Sequence, residues 1–154
     1  MPLTQAEADT LLQMPKEFAD ATPLDFPRTQ SLAYERVLLS VESREELLFD
    51  FERGRRNRAR LKYQTRARKV VVLARLDIDG PAHRNPPDSA YRAGERLLCP
   101  HFHRYTQGFE DRIAYDPADV PGLALHDPAN GLFCLEDFLR YCAVQNTPNI
   151  QLTV

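Results

Sequence analysis

In the segment RGRRNRARLKYQTRARK, from Arg53 to Lys69, charge alternates along the chain with a period of two. Arg56, Arg58, Arg60, Lys62, Arg66 and Arg68 fall at even positions, with Ala59, Leu61, Tyr63, Thr65 and Ala67 between them. An extended strand puts every second residue on one face. A half-buried strand over residues 58–66 is therefore expected, with its cations on one side at intervals of roughly 6–7 Å. The segment holds nine Lys/Arg and no acid. The other 137 residues carry 11 basic and 22 acidic groups, so a formal charge of −2 conceals +9 set against −11. A stripe of that kind attracts polyanions, nucleic-acid phosphates first among them. A solvated face that blocks edge pairing is the plainer account.

With 154 residues, 43% hydrophobic and 27% charged, the chain has the size and composition of one globular domain, 1–154. The start, MPLTQAEADTLLQMPKEF, has acids where a signal peptide needs a basic start and an unbroken apolar run. No stretch is apolar for long enough to span a bilayer, so no membrane partner is expected. Cys99, Cys134 and Cys142 are odd in number and lack Cys-x-x-Cys spacing. Reduced thiols in a cytoplasmic protein account for them.

Thr4 and Glu7 form a capping box ahead of Leu11 and Leu12, and Pro15 ends that first helix. Residues 20–28 read as a connector. Strands are expected at 31–41, 45–53, 58–66 and 69–78, the last rich in Val and Leu and central. Two more are expected at 96–105 and 109–115, with a long loop over 79–94 and another from Asp116 to Gly131. Leu132, Leu135, Phe138, Leu139 and Cys142 then recur at helical spacing, supported by a Glu136–Arg140 pair. The tail NIQLTV adds a short strand. Short links favour antiparallel hairpins. The expected fold is α+β: a single curved antiparallel sheet of five to six strands, between an N-terminal and a C-terminal helix packed on it.

Candidate chemistry gathers around the histidines. His101 and His103, in CPHFHRY, share one strand face with Cys99 and Tyr105, and His83 lies in the loop before them. Pro100 cannot donate to a ladder, which places this strand at an edge or beside a bulge. Arg75 is the one cation within VVVLARLDI, and Asp77 on the same face is its natural partner. Three readings stay open. His101 or His103 trades a proton with a ribose 2′-OH and leaving oxygen while Arg75 steadies the phosphorane, with His83 completing the site. Alternatively the His-x-His pair, with His83 or Cys99, chelates a metal in a cupin-like barrel. In the third reading the imidazoles are structural, bonding loop carbonyls. There is no phosphate-binding glycine loop, nucleophile elbow or zinc-protease helix, and no cofactor is implied.

The runs RLDIDGPAHRNP, CPHFHRYTQGFEDRIAY and LEDFLRYC, with the KYQ-RAR segment, resemble a widespread family of small uncharacterised bacterial domains. A second similarity is to TumE-type RNase toxins related to the RelE fold. It rests on Lys62 and Tyr63, Arg75 and Asp77, His101 and His103, and Asp137, Phe138 and Leu139. The loop from Gly80 to Leu97 is longer here, and the N-terminal helix is additional. That resemblance implies a metal-independent endoribonuclease of a toxin–antitoxin or phage-defence system. Arg56, Arg58, Arg60, Lys62, Arg66 and Arg68 would grip RNA or other nucleic acid. The alternative is a non-catalytic module that docks on a protein partner, an antitoxin or a defence complex, through the same basic face.

Overall fold

A computed structural model describes residues 2–154. Helix α1 (Gln5–Gln13) begins at the expected capping box. Thr4 Oγ1 accepts from Glu7 N, and the Glu7 carboxylate accepts from Thr4 N. Strands β1 (Lys16–Phe18), β2 (Leu24–Pro27), β3 (Leu32–Ser40), β4 (Glu46–Arg53), β5 (Leu61–Ala67) and β6 (Val71–Ile78) follow. Next come a small β7 (His83–Arg84) and β8 (Arg96–Leu97) hairpin, then β9 (His101–Arg104) and β10 (Ala114–Tyr115). A 3-10 turn at Pro117–Asp119, helix α2 (Gly131–Tyr141) and β11 (Ile150–Thr153) complete the chain.

The α+β class and the large antiparallel sheet are as expected. The sheet has seven strands rather than five or six, in the order β1-β3-β4-β5-β6-β9-β10, because the short β1 adds a strand at one edge. The expected long strands at 96–105 and 109–115 are shorter. A bend at Leu98–Pro100 turns β8 toward β7, and a turn closed by Thr106 and Glu110 leaves only Ala114–Tyr115 on the sheet. The tail strand forms, but it pairs in parallel with β2.

Parity decides which side is the core. In β5, Leu61, Tyr63, Thr65 and Ala67 are buried, while Lys62, Gln64 and Arg66 alternate with them. Tyr63 lies opposite Phe51 on β4 and Leu76 on β6, and Leu76 lies opposite Phe102 on β9. These residues share one cluster with Leu11 and Leu12 of α1 and with Leu135, Phe138 and Leu139 of α2. Both helices therefore pack on the same face. The sheet does not lie between them, since one shared core buries both apolar stripes. Gly131 permits the close approach of α2: a Cβ there would stand 2.4 Å from Leu61 Cδ1. Tyr63 OH donates to Gly131 O at 2.7 Å across the same contact.

Lys16 joins the two helices. Its side chain is fully buried, and Nζ donates to Leu12 O (2.8 Å), Met14 O (2.9 Å) and Cys142 O (2.8 Å). Three acceptors match the three N–H bonds of an ammonium. Burial pulls its pKa down to about 8, which leaves it charged at neutral pH. Lys16→Met should cost on the order of 2–4 kcal/mol, because both helix ends lose their donor. Urea denaturation at pH 7 measures this, and a loss below about 0.5 kcal/mol would show the clamp to be incidental.

Candidate functional site

The face turned away from the helices is polar, and pairing register sets it out in two rows. Glu35, Asp50, Gln64, Arg75 and His103 face one another across five strands. Beside them Glu52, Lys62, Asp77 and His101 form a second row. Directly opposed residues on a sheet stand about 4.5–5.5 Å apart, so such rows become hydrogen-bond ladders.

At the β6–β9 end the ladder closes into a cluster. His101 Nε2 donates to Asp77 Oδ2 at 3.1 Å, and Arg75 Nε donates to the same oxygen at 3.2 Å. Arg75 Nη2 lies 2.9 Å from His103 Nε2, and Arg75 Nη1 reaches Asp111 Oδ2 at 3.3 Å. His103 Nδ1 lies 2.8 Å from the Asp111 carbonyl. A carbonyl can only accept and a guanidinium can only donate, so His103 is the neutral tautomer protonated at Nδ1. His83 enters on β7, with its ring centroid 4.8 Å from that of His103 and Nε2 donating to Arg112 O at 2.7 Å. The expected common face holds for His101 and His103, and Cys99 Sγ lies 3.7 Å from His101 Nδ1. Tyr105 departs from it: the ring is buried in the core and OH donates to Leu3 O.

The two histidines are driven apart. Burial disfavours charge on His101, but the Asp77 carboxylate and the Cys99 sulfur outweigh it and push its pKa up to about 9. Burial and the Arg75 charge push His103 below the ordinary imidazole range. Burial alone would raise Asp77, yet bonds from the imidazoles and the Arg75 charge hold it far below the carboxylate range. Asp77 Oδ1 is buried without a hydrogen-bond partner.

Residues 3–144 match the family of unknown function DUF6978. The chain belongs to that family. No curated protein and no solved structure matches the chain. The DUF6978 region takes in both helices, the basic segment and every residue of the cluster, and it ends before β11.

Arg75, Asp77, His83, His101 and His103, five residues proposed together from sequence, are thus neighbours. His101 and His103 are 2% and 0% exposed, and each ring nitrogen already has a partner. Ligand atoms of Asp77, His101 and His103 lie within 4.8 Å of one another, the spacing of a metal site. The Arg75 guanidinium fills that position, 2.9 Å from His103 Nε2 and 3.2 Å from Asp77 Oδ2. His83 turns its Nε2 to a backbone carbonyl instead.

The basic segment is divided. Strand β5 starts at Leu61, so Arg56, Arg58 and Arg60 lie in the β4–β5 turn and do not share a strand face with Lys62. That turn tightens at Gly54, where a Cβ would meet Asn57 O at 2.4 Å. Lys62 pairs with Glu52 at 3.1 Å. Arg66 binds Asp50 at 2.6 Å and Glu35 at 2.8 Å. Arg68 lies in the β5–β6 turn, 3.4 Å from Glu7. The acids opposite were legible, since alternation in ELLFDFER puts Asp50 and Glu52 on one face of the neighbouring strand. Asp111, which holds Arg75, carried no such signal.

The opposed shifts predict that the cluster's own contribution to stability is greatest near neutrality. His101 has a raised folded pKa, so its contribution is complete below pH 6.5 and is lost as pH rises through about 9. That rise corresponds to roughly 3 kcal/mol. His103 and Asp77 are depressed, so theirs is lost toward acid pH. Urea titrations of wild type and His101→Gln at pH 6.5, 8 and 9.5 check this, and the subtraction cancels Lys16. The wild type should lose stability on the alkaline side relative to the variant; parallel curves would refute the His101–Asp77 coupling.

Proposed function

We propose that this DUF6978 protein binds nucleic acid through the phosphate backbone, at the end of the sheet formed by the β4–β5 turn. The observation that carries this reading is the state of Arg55, Arg56 and Arg58. All three are exposed, and among the described residues none is in an ion pair. Arg58 is also placed: Nε donates to Arg55 O and Nη1 to Thr29 O, both at 3.0 Å. That leaves Nη2 for a phosphate oxygen, with less side-chain freedom to lose on binding. The acid-rich remainder of the chain repels a polyanion elsewhere and steers it to this end.

The TumE-like reading adds cleavage by His101 and His103 with Arg75. Its support is that the residues converge and that one imidazole is charged while the other is neutral. Against it stand the burial of both rings and the engagement of their nitrogens. The protein therefore binds nucleic acid without cleaving it.

Retention of a single-stranded RNA and a duplex DNA at 50 and 200 mM salt tests it. With about three phosphate contacts the logarithmic salt slope is roughly −2 to −3, a loss of roughly 20- to 60-fold across that range. Arg56→Glu with Arg58→Glu should abolish retention at both salts and leave the fold intact. RNA should emerge whole. RNA with 2′,3′-cyclic phosphate ends that disappear with His101→Ala and His103→Ala would establish cleavage instead. Retention of polyglutamate but of neither nucleic acid would make the partner an acidic protein.

A further inference from the structure

Cys99 stands where the β7–β8 hairpin meets β9, half-buried, in the wall of a cleft of about 550 Å³. Leu97, Leu123 and Leu125 line that cleft with apolar surface, and Arg92 and Arg96 add two guanidinium groups. Cys99 Sγ lies 3.7 Å from His101 Nδ1, and the other nitrogen of the same ring lies 3.1 Å from Asp77 Oδ2. Sulfur, imidazole and buried carboxylate follow one another as nucleophile, base and orienting acid do in acyl-transfer sites. We infer that Cys99, His101 and Asp77 form a nucleophilic thiol site, which takes an acyl group from an ester or thioester bearing an anionic group.

Each part of the site has a physical reason. Asp77 accepts from His101 Nε2, which turns Nδ1 toward the sulfur. Arg75 and the strand pairing of Asp77 with His101 keep the carboxylate from rotating away. Nδ1 of that ring faces the sulfur at 3.7 Å, so one proton lies between the two. Cys134 and Cys142 differ: both lie inside the core, where burial pushes the thiols up to about 11 and about 12. Arg96 is exposed at the cleft, and Arg92 is tied only loosely to Asp119 at 3.6 Å. Both are placed for a carboxylate or phosphate on the substrate, with its apolar body against the leucines.

The chemistry balances with water as the sole co-reactant. The Cys99 thiolate attacks the acyl carbon, the S–C bond forms, and the bond to the leaving oxygen or sulfur breaks. The leaving group takes the proton from His101 Nδ1. Water then attacks the thioester, gives a proton back to Nδ1, and releases the acid and the thiolate. The site shares no residue with the β4–β5 turn, so its test does not depend on nucleic-acid binding.

The test uses the full chain with two 4-nitrophenyl esters, the acetate and the monoester of glutaric acid. The expected result is a nitrophenolate burst of one per chain, acylation mapped to Cys99, and at least ten-fold faster reaction of the anionic ester. Cys99→Ser should abolish the burst. Since His101→Gln can disturb β9, alkylation of wild type by iodoacetamide gives a second readout, with Arg92, Arg96 and Asp116 the other charges lining the cleft. Thiolate is the form that alkylates, and an imidazole sharing the thiol's proton speeds its formation. Native Cys99 should therefore alkylate roughly ten-fold faster at pH 6.5 than in the urea-unfolded chain. If Sγ merely donates to Pro81 O, 3.9 Å away, native Cys99 alkylates no faster than the unfolded chain, and the site is refuted. Fast alkylation without acylation by either ester overturns the acyl-transfer assignment.

Discussion

A carboxylate taken out of water must be met by positive charge or by donors, and Asp77 is 6% exposed on a central strand. Its neutralisation sets the geometry around it. Arg75 reaches it from the same strand, and His101 reaches it from β9 because register makes the two residues direct partners. With His101 committed to Asp77, Arg75 turns its far nitrogens to His103 and Asp111. One buried anion thereby fixes two imidazoles in different protonation states and ties the turn before β10 to the sheet. The hydrophobic core on the opposite face could form without this network. The network could not form without the register that the core imposes.

The same register explains the fate of the basic segment. A cation in the middle of an antiparallel strand faces a residue on each neighbouring strand. On β4 Glu52 lies directly opposite Lys62, and Asp50, opposite Gln64, is one diagonal step from Arg66. Lys62 and Arg66 are therefore spent inside the sheet, and their side chains are only 25% and 19% exposed. Residues in a turn have no cross-strand partner. The charges that stay available lie at the strand ends, in the turns before and after β5. A strand of seven residues separates them by roughly 20 Å.

Much of the architecture was legible because local patterns agree with the global one. The Thr4–Glu7 box, the alternation from Leu61 to Ala67 and the helical spacing from Leu132 to Cys142 each fix one element, and all three form. The site was legible in membership: Arg75 and Asp77 at i,i+2 and His101 and His103 at i,i+2 had to share faces of their strands. What was hidden depends on distances along the chain that no local pattern reports. The pairing of β6 with β9 spans the β7–β8 hairpin, and Asp111 arrives from a turn whose sequence reads as a strand. Lys16 was hidden for the same reason, since a lysine after Pro15 signals nothing until α2 ends beside it. The alternation also misled at its start. Arg58 and Arg60 keep the period-two pattern although Gly54 and Asn57 have already turned the chain.

Placing both helices on one side has a consequence for where partners meet the molecule. The helix side is sealed by apolar packing and held at both helix ends by Lys16. The polar side is sealed at one end alone, where the β7–β8 hairpin and the turn through Asp111 cover His101 and His103. Toward β3 the same face is open, and Glu35 and Glu52 remain 63% and 41% exposed there. Acid therefore dominates the uncovered half of the sheet, and a polyanion approaching it is repelled. The turn of Arg55, Arg56 and Arg58 lies at the end of these strands, beyond the acidic rows. A nucleic acid held there would meet the sheet end-on, and the covered cluster would play no part in holding it.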